Sequence, residues 1–278
     1  MNIQVDTTLC QHCGRCQRVC PTAVFEFQAD KGATATRPDG CIACGHCMDV
    51  CPSAAIRHEA FPAERVHPVD RNLLPTPQSL MELIRSRRSN RTITDRDIPP
   101  QTIADIIEAA RYAPTAENSR RVTVTLIEEP SHLQQVEDQT MHFFLRLASV
   151  LLLPPIKPIT RWLLPDLYAE APELQRFEQQ WRQGQRPCSC NARVMLAFSA
   201  PSGYDFGWQD CNLAYQNASL MAETHGVSQI YMGLIVTALK FLGHGKARRL
   251  LHLPSGHRLY ALMALGMPAI HYHNYTER

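Results

Sequence analysis

The chain lacks a charge bias. Its formal charge is only +2 over 278 residues, which leaves no electrostatic footprint for nucleic acid or for a strongly anionic membrane. It also lacks a membrane-spanning run. The nearest approach, residues 143–164, is broken by Arg146, Lys157, Arg161 and several prolines, so it does not supply the roughly 20 uninterrupted apolar residues a spanning helix needs. Residues 1–8 are polar, and a cysteine motif begins at Cys10, so no secretion signal is expected and the cytoplasm is the expected compartment. No Gly-rich dinucleotide fingerprint follows any candidate strand. No general acid or base stands out either. The twelve histidines are scattered, with His244, His252, His257, His271 and His273 late in the chain, and scattered histidines are more often structural than catalytic.

What is abundant is cysteine, with eleven, and proline, with twenty. An odd number of cysteines in a chain of this length does not read as a disulfide scaffold; clustered reduced thiols more often hold metal. Cys10, Cys13, Cys16, Cys20 and Pro21 recur as Cys41, Cys44, Cys47, Cys51 and Pro52 at a constant offset of 31, and Gly14 and Ala23 recur as Gly45 and Ala54. One small unit has been duplicated.

Each copy reads C-x-x-C-x-x-C-x-x-x-C-P. Thiolates are the soft ligands that iron–sulfur clusters require, and in this run three close cysteines take one cube while the fourth reaches the other. Cys10, Cys13 and Cys16 are therefore paired with Cys51, and Cys41, Cys44 and Cys47 with Cys20. Zinc is the competing reading, but zinc sites use four ligands in two pairs rather than two sets of three plus one. Residues 1–60 resemble a bacterial two-cluster ferredoxin domain, which implies two low-potential [4Fe–4S] clusters passing single electrons. Cys188, Cys190 and Cys211 fall outside the motifs. Cys188 and Cys190 are spaced to form a redox pair or a metal contact, but ordinary small residues of a reduced protein is the simpler reading.

Residues 61–78 are proline-rich, show no apolar period and read as a semi-stiff linker. Beyond them the pattern changes. Leu80, Leu83 and Ile84 share a helical face that Ser79 can cap, and Ile103, Ile106, Ile107 and Ala110 mark a second helix over residues 100–112. Strands are expected at 122–127, 195–199 and 259–265. Helices are expected at 208–225, stopping at Gly226, and at 234–242. Helices and strands are intermixed, so the fold class is α+β: a small ferredoxin-like domain followed by an α+β domain over residues 79–278.

Four further features occur in order along that second domain. They are Arg87-Arg88-Ser89-Asn90-Arg91 after the first helix, Ala113-Pro114-Thr115-Ala116-Glu117-Asn118 after the second, Met232-Gly233 at a helix start, and Leu265-Gly266-Met267-Pro268 after the last strand. The arginine cluster alone reads as a solvated basic helix end. Together, in this order, the features make residues 79–278 resemble the nitroreductase family of FMN enzymes.

The resemblance implies a homodimer with FMN in a cleft between subunits. It implies Arg87, Arg88, Ser89 and Arg91 at the phosphate, ribityl chain or pyrimidine edge, with Pro114, Thr115, Ala116 and Asn118 approaching from the partner subunit. It places Tyr231, Met232 and Gly233 along the ring and Arg278 near the phosphate. Thr115 stands where the family more often has Ser, and residues 141–187, with Trp162 and Trp181, match no family motif. The function implied is electron transfer from the clusters to FMN and on to a small organic acceptor, fed by an external low-potential donor such as a ferredoxin. Two alternatives stand beside it: a flavin reductase using NAD(P)H directly, and an electron-transfer or redox-sensing protein with no dedicated small substrate.

The duplicated motif predicts about eight iron atoms and eight sulfides per chain. Anaerobic iron and sulfide analysis checks this; about four of each would mean that one motif holds no cluster.

Overall fold

The computed structural model describes residues 1–151, 153–163, 165, 168 and 171–277. It divides into two compact units. The first comprises Met1–Pro75 together with Ala116–Ser119, and the second Thr76–Thr115 together with Arg120–Arg278.

In the first unit, β1 (Ile3–Val5) pairs antiparallel with β4 (Ile56–His58), and β2 (Phe25–Gln28) with β3 (Gly32–Ala35). Two short helices, α1 (Arg15–Val19) and α2 (His46–Asp49), follow Gly14 and Gly45, both in the left-handed region at φ 64° and 82°. The core is small: Ile3, Val24, Phe25, Ala33 and Ile56 pack with the buried sulfurs of Cys16 and Cys47. Units of this size seldom fold on apolar burial alone, and metal is a common supplement. After β4 the chain runs through 3₁₀ turns at Ala63–Arg65 and Arg71–Leu73 before leaving the unit.

The second unit is built on a four-stranded antiparallel sheet in the order β5 (Thr123–Ile127), β6 (Val194–Pro201), β8 (His257–Gly266), β7 (Ser228–Tyr231). Both central strands are covered on both faces. Leu196, Phe198 and Ala200 with Ala261, Met263 and Leu265 meet α4 (Pro100–Arg111) and α8 (Gly207–Thr224). Met195 and Ala197 with Leu262 and Ala264 face the opposite way. There they meet α5 (Pro130–Leu151), α9 (Gly233–Phe241) and α10 (His244–Leu250). Because neither face is wet, both strands read as continuous apolar runs. α6 (Lys157–Leu163) and α7 (Ala171–Arg182) follow α5. Trp181 Nε1 donates to Asp138 Oδ1 at 2.8 Å and ties α7 to α5. Among the described residues, no helix is long and apolar enough to cross a membrane.

Two local details differ from the sequence reading. α3 spans Pro77–Ser86 and is capped by Thr76, whose Oγ1 accepts from the Ser79 N–H at 3.1 Å; Ser79 itself lies inside the first turn. Proline at the first helical position fits there because that N–H would have no intrahelical partner. The edge strand β7 was not expected from periodicity, since Ser228 and Gln229 are polar although buried. Gly226 follows the His225 cap of α8, and its φ of 65° suits the left-handed residue that closes a helix.

The glycine of the Leu265-Gly266-Met267-Pro268 run has a packing reason. A Cβ there would overlap the Ile93 side chain. The close approach follows from backbone pairing: Thr94 N donates to Met267 O and Ala269 N to Thr92 O, both at 2.8 Å. Gly266→Ala should therefore destabilise the second unit by about 1–3 kcal/mol through overpacking. At about 2–4 °C per kcal/mol, differential scanning calorimetry of the full chain should show its transition lowered by several degrees.

Candidate functional site

The first unit sorts its cysteines across the duplication. One cavity is lined by Cys10, Cys13, Cys16 and Cys51, and the other by Cys20, Cys41, Cys44 and Cys47. Each thus takes three sulfurs from one motif and the fourth from the other. Among the described residues, no set of three or more His, Cys, Asp and Glu converges on one point as the ligands of a single ion would. Zinc sites take four ligands in two pairs, whereas three sulfurs from one motif and a fourth from the other is the ligand pattern of a two-cluster iron–sulfur unit.

The backbone repeats with the sulfurs. His12 and Ala43 have φ of 50° and 49°, and Ala23 and Ala54 have φ of 52° and 51°. After each crossing cysteine the chain turns back so that Val24 N donates to Cys20 Sγ and Ala55 N to Cys51 Sγ, both at 3.2 Å. Burial raises the Cys16 thiol above its ordinary range and pushes Cys47 up to about 12, so neither sulfur is a thiolate by its surroundings alone. A bound cation reverses that balance, because metal ligation deprotonates the thiol.

Among the described residues, one side-chain contact at Cys41 is not repeated at Cys10. His58 is buried, and its Nε2 lies 3.3 Å from Cys41 Sγ. Its Nδ1 accepts from the Ala60 N–H at 3.1 Å. Burial holds the imidazole below its ordinary pKa. In the neutral ring an accepting Nδ1 leaves the proton on Nε2, directed at the sulfur. This residue was missed at the sequence level, because at the offset of 31 it falls opposite Phe27 and carries no motif.

In the second unit the arginine motif is divided among different neighbours. Arg88 turns back on its own helix, Nη1 donating to the carbonyls of Arg85 and Arg87 at 3.0 and 3.3 Å, and so satisfies orphan acceptors at the end of α3. Arg87 is half-buried, and its charge opposes the upward shift that burial imposes on the Tyr215 hydroxyl. Arg91 is exposed and acts similarly on the Cys190 thiol, which burial raises. Ser89 is half-buried between them. The loop is anchored from β7: buried Gln229 accepts from Tyr215 OH at 3.0 Å and donates to Arg88 O at 3.1 Å. Asn90 adds a second anchor, donating to Ile270 O at 2.6 Å.

Tyr231, Met232 and Gly233 lie where β7 passes into α9. The Tyr231 ring packs edge-on against Tyr215, with centroids 5.0 Å apart, and is 38% exposed. Met232 is buried, and its N–H bonds Leu262 O at 2.9 Å. Gly233 is exposed, and no side chain caps the helix it opens. An uncapped helix start presents N–H donors and partial positive charge to an electron-rich ligand edge. An open cavity is lined by Ser86, Arg88, Asn90, Ser228, His271 and His273, with the carboxylates of Glu82 and Glu223 also on its wall; of the expected flavin residues only Arg88 lines it. Ser228 Oγ is buried and has no hydrogen-bond partner among the described residues. These features fit a flavin with a phosphate tail.

Not every expected residue joins them. Thr115 Oγ1 accepts from the Arg120 N–H at 3.1 Å, and Pro114 is exposed. Ala116 and Asn118 belong to the first unit, where the Asn118 amide donates to Ile42 O at 3.0 Å and Ala43 O at 2.7 Å. Arg278 lies outside the described residues. Cys188 and Cys211 are buried, with thiols raised by burial, and Cys188 N donates to the buried Glu137 carboxylate at 2.6 Å. These thiols are not activated for chemistry.

The fold and the two cavities define a class: an α+β redox enzyme joined to a unit that carries two ligand sets for iron–sulfur clusters. Residues 2–52 match a 4Fe-4S dicluster domain. Residues 84–267 match the nitroreductase family, and the chain belongs to that family as an oxidoreductase of nitroreductase type. It is 23% identical over 194 residues to a protein of Archaeoglobus fulgidus named as a putative NADH dehydrogenase/NAD(P)H nitroreductase, covering 69% of this chain and 86% of the relative. A Bacteroides fragilis nitroreductase with bound FMN shares the fold at a TM-score of 0.54 and 18% identity, over 72% of this chain and 94% of that one. A Desulfitobacterium hafniense nitroreductase with bound FMN does so at a TM-score of 0.53 and 18% identity, over 71% and 93%.

The shared cavities lead to a swap that can be read spectroscopically. Cys20→Ser should damage the cluster held mainly by the second motif, and Cys51→Ser the one held mainly by the first. Electron paramagnetic resonance of the reduced variants checks this. Loss of the signal belonging to each cysteine's own motif would refute the crossed arrangement.

Proposed function

We propose that this chain is an oxidoreductase that takes single electrons at two [4Fe–4S] clusters in its first unit, passes them to FMN in its second, and reduces a small organic acceptor of nitro, quinone or enone type. The observation that carries the reading is the three-plus-one sharing of cysteines by both cavities, within a chain that also belongs to the nitroreductase family.

The roles follow from the residues. Cys10, Cys13, Cys16 and Cys51 hold the first cluster, and Cys20, Cys41, Cys44 and Cys47 the second. Arg87 supplies a permanent positive charge at the flavin's phosphate or pyrimidine edge, with Ser89 and Arg91 beside it; a fixed cation there favours an anionic reduced ring. Arg88 reaches the same ligand only by giving up its carbonyl partners. Tyr231 and Met232 flank the ring, and the Gly233 N–H faces its electron-rich edge. Pro114, Thr115, Ala116 and Asn118 serve the flavin of a partner subunit in a homodimer, and Arg278 serves the phosphate. The exposed Leu80, Met81 and Ile84 on α3 support association of two copies. Residues 61–78 act as the linker between residues 1–60 and residues 79–278. When bound, FMN supplies two-electron storage between a one-electron donor and the organic acceptor.

A second reading, direct reduction by NAD(P)H, is favoured by the name of the Archaeoglobus relative. The donor decides between them. We compare the full chain with a full-length variant carrying Cys16→Ala and Cys47→Ala, which should lack both clusters. With a reduced ferredoxin or a low-potential dye, acceptor reduction by the variant should fall by about tenfold or more, a loss of at least about 1.4 kcal/mol in transition-state terms. With NAD(P)H it should be little changed. Equal rates with both donors in both proteins would remove the clusters from the catalytic path.

A further inference from the structure

The two cavities of the first unit are duplicates in backbone but not in the donors that reach their sulfurs. Among the described residues, the cavity of Cys10, Cys13, Cys16 and Cys51 receives the Ala55 N–H on Cys51 Sγ, with the Ser53 hydroxyl at 3.8 Å. The cavity of Cys20, Cys41, Cys44 and Cys47 receives the matching pair, the Val24 N–H on Cys20 Sγ and the Thr22 hydroxyl at 3.8 Å. Backbone N–H groups also act on one buried sulfur in each cavity, Gln17 and Cys16 on Cys16 Sγ and Met48 on Cys47 Sγ. Cys41 Sγ receives two donors besides: the Ala43 N–H at 3.4 Å and His58 Nε2 at 3.3 Å.

The His58 contact is held from two sides. Ala60 N–H fixes the ring's tautomer through Nδ1. Phe61 lies against the ring, with centroids 5.1 Å apart. His12, the histidine nearest the other copy's first cysteine, has the opposite arrangement: its Nδ1 lies 3.1 Å from Ala29 O and donates to that carbonyl. In a neutral ring that leaves Nε2 an acceptor, which has no proton to offer a sulfur.

An N–H donor on a ligating sulfur stabilises the form of the cluster that carries one more negative charge, so it raises the reduction potential. We infer that His58 is a positioning residue that donates from Nε2 to Cys41 Sγ and raises the potential of the second cluster, making the duplicated cluster sites electronically unequal. The step is a one-electron reduction by the external low-potential donor. The electron enters the cluster, no bond is made or broken, and the His58 proton stays on nitrogen. The inference rests on the reading that both motifs hold clusters. Cys13 is exposed, and water at the first cavity favours added charge there too. The quantity that isolates His58 is therefore the shift on replacing it, not the sign of the gap between clusters.

The test uses the full chain, reconstituted anaerobically, with iron and sulfide analysis and a redox titration followed by electron paramagnetic resonance. His58→Phe places in the second copy the residue that stands at the matching position, Phe27, in the first. With iron content unchanged, the potential of the second cluster should fall so that its reduced-to-oxidised ratio against a fixed donor drops about tenfold, which is about 59 mV for one electron. The first cluster should not move. His58→Gln, which keeps an N–H donor, should recover part of the shift. Where His58→Phe does not retain its clusters, electron spin echo envelope modulation on wild-type protein carrying ¹⁵N-histidine decides: coupling of one histidine nitrogen to the reduced second cluster is expected. Unchanged potentials at full iron content, or no histidine coupling, would overturn the inference. A wild-type chain with about four irons would instead overturn the two-cluster reading on which it rests.

Discussion

The first unit depends on one geometric constraint: each cavity is closed by a cysteine that belongs to the other copy of the repeat. Cys20 follows α1 and Cys51 sits just beyond α2, and each crosses to complete the other's set. Neither half can therefore supply four sulfurs alone. The turns that make the crossing possible hold His12, Ala23, Ala43 and Ala54 in the left-handed region. For residues with a Cβ this costs roughly 1–2 kcal/mol each. A core of only five apolar side chains, of which Phe25 alone is large, and two sulfurs is a weak offset for four such positions. Ligation by metal is a sufficient one, and it couples the folding of this unit to its cofactors.

The second unit answers a different constraint. Its central strands β6 and β8 are dry on both faces, so polar chemistry has to be carried at the sheet's edge and at the ends of its helices. β7 is that edge. Gln229 is fully buried there, and both ends of its amide are engaged, one by Tyr215 and one by the Arg88 carbonyl. The arginine loop is thus held by a buried polar link whose loss would leave unpaired groups in the interior. The exposed Tyr231 ring and the uncapped Gly233 helix start are placed by the same short strand. Rigid support under a polar rim is what a flavin cleft needs to orient its ligand without reorganisation.

Much of this was legible in the sequence, for physical reasons that differ from element to element. The cysteine repeat is readable because ligand spacing survives any change in the surrounding residues. α4 was visible because Ile103, Ile106 and Ala110 face one core, and β6 because residues 195–199 are apolar on both faces. β7 was hidden because its buried Ser228 and Gln229 are polar and hydrogen-bonded partners, not water, make them tolerable inside. α6 was hidden because prolines at 154, 155 and 158 punctuate its start, and α5 and α7, on either side of that run, were not read as helices.

Several residues that motif order singles out have structural work of their own in the folded chain. In the run Leu265-Gly266-Met267-Pro268 the glycine answers to Ile93, and the carbonyl of Met267 answers to Thr94, so what looks like a cofactor signature is at least partly a packing joint between the arginine loop and the sheet. Arg88 similarly closes the helix that carries it. Asn118 belongs to the unit of the cysteine repeat, with its amide on the carbonyls between Cys41 and Cys44. A spacing pattern says only which residue types stand at which positions. Whether such a residue serves the ligand or the loop that meets it depends on its partners, which only the folded chain brings together.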